Sequence, residues 1–183
     1  PISEVCSAPV LSWLTPPTAA PWASEDMRSA LTAEADEILS GQVRLFSAEP
    51  ISVGDPPRWH ASPYDASMSG DPKLHWSIPQ RSLGDIKDIW ETSRFTWAPV
   101  LARAWRTTGD ERYVTMLERW VRDWIVHNPA NAGVNWACGQ ETSIRLLHLL
   151  LAAELVRSDS RIEPGLVQFV TEHVERIAET TIY

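Results

Sequence analysis

The stretch D-I-K-D-I-W-E-T-S-R-F at residues 85–95 leads into T-T-G-D-E-R-Y at 107–113 and H-N-P-A-N-A-G-V-N-W-A-C-G-Q-E-T-S-I-R at 127–145. Its reading decides the fold. Ile86, Ile89, Trp90, Phe95, Trp97, Leu101 and Trp105 recur at helical spacing, and Gly109 supplies a stop. Pro99 interrupts this pattern. It lacks an amide donor and crowds the preceding turn, so a kink or break is predicted near Trp97. Asp110 then caps a second helix, with Val114, Leu117, Val121, Trp124 and Ile125 on its apolar face, closed before Pro129. A third runs over about 139–157, with Ile144, Leu147, His148, Leu151 and Leu155 on one face, and a last begins near Pro164 and runs to the chain end.

Working outward, Ser24 is a natural cap for a helix over 24–40, with Glu25 and Asp26 in its first turn and Gly41 as its stop. Residues 1–23 hold five prolines and read as an extended arm pinned by Trp13 and Trp22. Between 42 and 83 six further prolines break the pattern, a short strand is conceivable at 43–46, and Trp59, His60, Tyr64, His75 and Trp76 lie between the breaks. A loop this long and this aromatic is expected to fold down over a surface rather than stay disordered. The chain thus divides into a Pro/Trp-rich entry segment, 1–83, with one helix, and a helical segment, 84–183. The fold class is all-α. About five helices with short connections predict antiparallel helical hairpins stacked as an incomplete (α/α) toroid rather than a four-helix bundle.

The totals limit what such a domain does. Its 183 residues suffice for one core. A net charge of -8 argues against nucleic acid, and no apolar run reaches the ~18 residues of a membrane span. The chain starts at Pro1 with no leader pattern, so a processed chain or a fragment is expected. Cys6 and Cys138 are too far apart in sequence for a C-x-x-C site, and whether they are bonded stays open. The five histidines show no ligand spacing; no metal or other cofactor is expected. Ten tryptophans are the outlier, serving either packing or a sugar platform.

Candidate site residues are the charged and amide groups where helices are ordinarily apolar. Glu91 and Arg94 stand at i, i+3, and Glu141 and Arg145 at i, i+4. Either these are surface salt bridges worth ~0–1 kcal/mol each, or partial burial forces each arginine to find a carboxylate or a ligand anion. Asn135 and Trp136 follow the small-residue turn at Gly133, which can direct an amide and a flat ring into a cleft or plug the core. His148 reads as a satisfied core histidine.

Together, D-I-K-D-I-W-E-T-S-R-F, T-G-D-E-R-Y, D-W-I-V-H-N-P, and G-V-N-W followed by E-T-S-I-R resemble the N-terminal region of bacterial heparinase II/III-like polysaccharide lyases, including alginate lyase-like members. The resemblance covers roughly residues 76–183; Pro99 and Gln140 depart from the family pattern. It implies a toroid normally followed by a β-sandwich, and β-elimination on an acidic, uronic-acid polysaccharide such as a glycosaminoglycan or alginate. In that reaction the uronate carboxylate is neutralised, a base removes the adjacent proton and an acid assists the leaving sugar oxygen. The family's Asn-His pair, catalytic Tyr and further His are expected after Tyr183, so this chain holds no catalytic residue and is expected to be inactive alone. Arg94, Asn135, Trp136, Glu141 and Arg145 would line or brace a substrate-binding wall, with the C-terminal part of the same enzyme as partner. The resemblance implies a location in the periplasm or outside the cell, with the cytoplasm left open as the alternative. Two other readings stand beside it: a noncatalytic glycan-binding or scaffold α-domain, and an α/α-toroid glycoside hydrolase using Glu91 and Glu141, which would need a separation of ~5–9.5 Å across a cleft.

Overall fold

Ser24 opens the first helix as expected: its hydroxyl accepts the Met27 amide at 3.2 Å, and two acidic residues occupy the positive first turn. In this computed structural model, which describes residues 24–46, 49–65, 67–80, 84–156 and 164–180, α1 spans Glu25–Leu39. Gly41, with φ at 77°, reverses the chain into an antiparallel hairpin of β1 (Gln42–Arg44) and β2 (Pro50–Ser52). The expected arm at 1–23, including Trp13, Trp22 and Cys6, lies outside the described residues, as do Arg157 and Tyr183.

The proline-rich loop is folded down onto the helices. Trp59 is 3% exposed and donates its indole N–H to Asp123 at 2.7 Å, while Trp120 donates to Asp55 at 2.8 Å. Isolated bridges pair Ala61 with Ser69 and His75 with Ala132. Burying an indole without a partner for its N–H is costly, so these carboxylates fix the loop to the helix over residues 111–127.

The break near Trp97 is present, but Pro99 does not make it. Helix α2 (Lys87–Ser93) ends at Arg94, Phe95 takes a left-handed φ of 61°, and α3 (Trp97–Thr108) begins two residues later. Pro99 is the third residue of α3, where an amide has no intrahelical partner to lose. Gly109 closes α3 with φ at 72°, and the Asp110 carboxylate accepts the Arg112 amide at 3.0 Å to start α4 (Glu111–His127). The N-P-A-N-A-G turn leads into a 3-10 helix, Val134–Trp136, then α5 (Gly139–Val156) and α6 (Pro164–Thr180).

Two inward faces differ from the sequence expectation. Helix α4 buries Tyr113, Met116, Leu117, Trp120 and Trp124, leaving Val114 and Val121 half-buried and Ile125 exposed. The tryptophans and Tyr113, having the most area to bury, set the face. Helix α5 turns Glu141, Thr142, Arg145, Leu146, Leu149 and Ala152 inward and leaves Leu147 and Leu151 exposed. It is apolar nearly all round, so periodicity cannot choose its buried side, and the bonds made by Glu141 and Arg145 choose it instead.

Helix α3 packs against α1, α4 and α5, and α5 against α6. Gly139 at the start of α5 meets Thr180 at the end of α6, and Arg145 meets His173, so these two run antiparallel. By contrast, His148 contacts Arg94 and Leu155 contacts Arg106, so α5 runs in the same sense as the chain from Arg94 through α3. The core is a chain of aromatic rings: Trp59, Phe95, Trp97, Trp120, Trp124, Trp136 and Phe169. The described residues are mostly helical, an all-α arrangement with one small hairpin among them.

Candidate functional site

Arg94 sits where α2 ends, and the reversal at Phe95 buries the Phe95 ring completely while leaving the Arg94 side chain 22% exposed. Two carboxylates hold its guanidinium. Glu141, from the first turn of α5, takes Nε and Nη2 in a bidentate pair at 2.5 and 2.7 Å, and Glu91, one turn earlier on α2, pairs with Nη1. Both carboxylates are only 5% exposed. His148 adds a hydrogen bond, its Nδ1 donating to the Arg94 carbonyl at 2.7 Å. The pairing anticipated within α5, Glu141 with Arg145, is therefore replaced by one between helices. The hydrogen bonds it donates to Glu141 push the Arg94 pKa up, keeping it a cation. Of the five N–H donors of a guanidinium, the hydrogen bonds to Glu141 take one on Nε and one on Nη2, and Glu91 faces Nη1 as an ion pair.

Behind this node lies a second cluster. Arg145 is 1% exposed, with its guanidinium 4.4 Å from the Trp124 ring centroid and 5.3 Å from that of Trp136. It donates to His173 Nε2 at 2.9 Å and to the Asn135 carbonyl at 3.0 Å. Burial lowers its pKa to about 9, opposed by the charge of Glu141, so it remains a cation at neutral pH. His173 accepts from Arg145 while its Nδ1 donates to the Phe169 carbonyl at 2.7 Å; burial, aided by the Arg145 charge, lowers its pKa to about 2 and keeps it neutral. Asn135 is fully buried and donates to the Trp59 carbonyl and to Asn128 Oδ1, both at 2.8 Å. Trp136, 1% exposed, donates to the Asn128 carbonyl at 3.2 Å.

The five residues picked from the sequence thus fall into two adjoining groups. Arg94 and Glu141 meet near the surface. Asn135, Trp136 and Arg145 meet in the interior, where they hold the turn and α5 in place. The two groups join at Ser93, whose carbonyl lies 3.4 Å from Arg145 Nη1 and whose hydroxyl accepts from Trp124 at 3.1 Å.

Arg94 and Glu91 line a cleft of about 690 Å³ between α1, the β-hairpin and the α2–α3 elbow. Its rim carries Glu34, Arg44, Phe46 and Thr96, over a floor that includes Ile38, Val43 and Trp97. Arg44 is held by Glu37 through bonds of 3.1 and 2.8 Å. Phe46, with φ at 53°, is 49% exposed, and its amide donates to Glu91 Oε2 at 3.3 Å. The sequence did not single out Glu34, Arg44, Phe46 or Thr96: the first three come from α1 and the hairpin region, distant in sequence, and Thr96 joins them only through the packing of those elements at the α2–α3 elbow. The available signal was V-R-L-F, whose Phe lies just past the strand and is exposed instead of filling the core.

Eight of the ten tryptophans are described, and none is among the exposed hydrophobics. The tryptophan excess among the described residues therefore serves packing, and the exposed ring at the cleft is a phenylalanine. In comparisons with known proteins, no family model, curated protein or solved structure matches the chain.

Proposed function

We propose that this chain forms a substrate-binding wall of a bacterial polysaccharide lyase of the heparinase II/III-like type, which cleaves uronic-acid glycans by β-elimination. The observation that carries the reading is Arg94. It is fixed by two buried carboxylates and lines the wall of a cleft of about 690 Å³, within the ~300–1,000 Å³ of ligand sites. A guanidinium with no remaining freedom to lose is preorganised to bind the polar edge of a sugar. Helix order supports the toroid expected from the motifs: α5 and α6 fold back on one another while α5 runs in parallel beside α3, the arrangement of stacked α/α repeats.

In this reading the chain binds and orients, and the Asn-His pair, Tyr and His that neutralise the carboxylate and move protons belong to a later part of the protein, its intramolecular partner. The acidic polysaccharide is the substrate, no cofactor takes part, and the site of action is periplasmic or extracellular. Glu91 and Glu141 share one arginine and act as structural anions, which disfavours a hydrolase built on that pair. A noncatalytic glycan-binding domain is the second reading, favoured by the pairing of both cleft arginines with carboxylates.

The test is to incubate the 183-residue chain with alginate, heparan sulfate and chondroitin, following both binding and the ultraviolet absorbance of unsaturated uronate. Binding without absorbance, weakened in Arg94→Lys, is expected. Absorbance that grows with time would contradict the division of labour, and no binding to any of the three would remove the glycan reading.

A further inference from the structure

The proline-rich loop is fastened to the end of α4 through His60. Its Nε2 lies 2.9 Å from the carbonyl of His127, the last residue of that helix. A carbonyl only accepts, so Nε2 carries the proton and Nδ1 is the bare nitrogen of a neutral ring. Nδ1 is buried and has no hydrogen-bond partner. The ring also meets the 129–133 turn so closely that a Cβ on Gly133 would stand 3.1 Å from His60 Cε1.

Beyond His60 the chain runs as a strap over the turn. Gly70 donates its amide to the His60 carbonyl at 2.7 Å, and Ser62 donates to Met68 at 2.8 Å. The Gly133 amide reaches the Leu74 carbonyl at 2.7 Å, and the Trp76 amide reaches that of Asn131 at 3.0 Å. At its far end the strap lays the Trp76 ring 3.6 Å from the guanidinium of the fully buried Arg176.

A proton added to Nδ1 makes an N–H without an acceptor and a charge withdrawn from water, a costly combination. Burial accordingly lowers the His60 pKa below its ordinary 6.5, opposed by the bond to the His127 carbonyl. The groups facing the ring pull both ways. From α4, a charge on His127 opposes one on His60, and Asp123 is taken by the Trp59 indole and lies 3.4 Å from His127 Nδ1. From the strap, the Asp71 carboxylate favours the charge. The 129–133 turn has no titratable residue.

We propose that His60 is an acid-released latch: neutral, it seats the strap of residues 60–65 and 67–80 on α4 and the turn, and protonated at Nδ1 it lets the strap open locally and lift Trp76 from Arg176. The open state binds the extra proton. Closure is therefore fully favoured above the ordinary histidine value and weakens as pH falls toward the lower value of the closed state.

Amide hydrogen exchange of the 183-residue chain at a series of pH values from about 7.5 to about 5, corrected for intrinsic rates, tests this. The opening constants at Ser62, Gly70 and Trp76 are expected to exceed those of Trp120 and Leu149 in the core. They should rise by up to about tenfold per pH unit below about 6.5. His60→Gln, which offers an amide N–H toward the His127 carbonyl and does not titrate, should remove that rise. In the unaltered chain, the ring-carbon shifts of His60 should titrate with a midpoint below that of a free histidine. The latch is overturned by strap protection that does not change with pH, or by a midpoint at or above the free value. It is equally overturned by an unchanged rise in His60→Gln, or by strap amides that open only together with the core.

Discussion

Arg94 and Arg145 show how the same residue type is held in two different ways. Arg94 neutralises two nearly buried carboxylates, so Arg94→Ala strands both. A buried ion pair broken on one side costs ~3–5 kcal/mol; with 22% of the Arg94 side chain exposed, a loss of about 2–3 kcal/mol in urea denaturation is expected. Adding Glu91→Gln and Glu141→Gln to that variant should recover part of the loss, and an Arg94→Ala protein as stable as the parent would show that solvent already screens the pair. Arg145 instead lies between rings and backbone carbonyls beside a neutral histidine. His173 carries its pKa at about 2 in the fold against 6.5 for the free group. The unfolded chain therefore binds a proton in that window that the folded chain does not, and stability falls as pH drops below about 6.5 by up to ~1.4 kcal/mol per unit. His173→Gln, which keeps an acceptor for Arg145, should flatten that slope relative to the parent between pH 7 and 5. Parallel stability curves for the two proteins would contradict a neutral buried His173.

At the level of elements, the α2–α3 elbow is the informative one. The sequence shows an interruption near Trp97, and Pro99 looks responsible. The turn is made by Phe95, whose ring is drawn into the core against Trp97 and Trp124 at centroid distances of 5.0 and 5.4 Å while its backbone adopts φ of 61°. Burial of that ring offsets the strain of a non-glycine residue in the left-handed region. Pro99→Ala should then change stability by no more than about 1 kcal/mol and leave helix content by circular dichroism unchanged. A gain of a helical turn's worth of signal would return responsibility to Pro99. Caps and stops at Ser24, Gly109 and Asp110 were legible because their chemistry is local. The buried faces of α4 and α5 were not, because ring size on one helix and ion pairing on the other override spacing.

For the whole molecule, the all-α class follows from helical spacing in the stretches around Asp85–Arg145, but the cleft does not. Its walls come from α1 and the hairpin as well as from the elbow, and only tertiary packing brings Phe46 to Glu91. The charged residues singled out by sequence did point to real clusters, since a polar group on an apolar face has to be paired; which partner each takes is a matter of three dimensions, as Glu141 choosing Arg94 over Arg145 shows. Apolar surface remains on α5 and α6, where Leu147 is 66% and Val174 51% exposed, while Val170 and Ile177 pack half-buried against the core. Leu147→Lys with Leu151→Glu should leave the melting transition nearly unchanged, within about 0.5 kcal/mol per site. Marked destabilisation would show that these leucines are covered.

The central claim is that a pinned Arg94 presents a sugar-binding cleft. Amide chemical shifts of the labelled chain during titration with an alternating uronate–hexosamine tetrasaccharide test it most directly. Saturable shifts gathered at residues 34–46 and 91–97, with the interior amides of Asn135, Trp136 and Arg145 scarcely moved, are the expected result. Shifts confined to another surface, or none at saturating ligand, would contradict it.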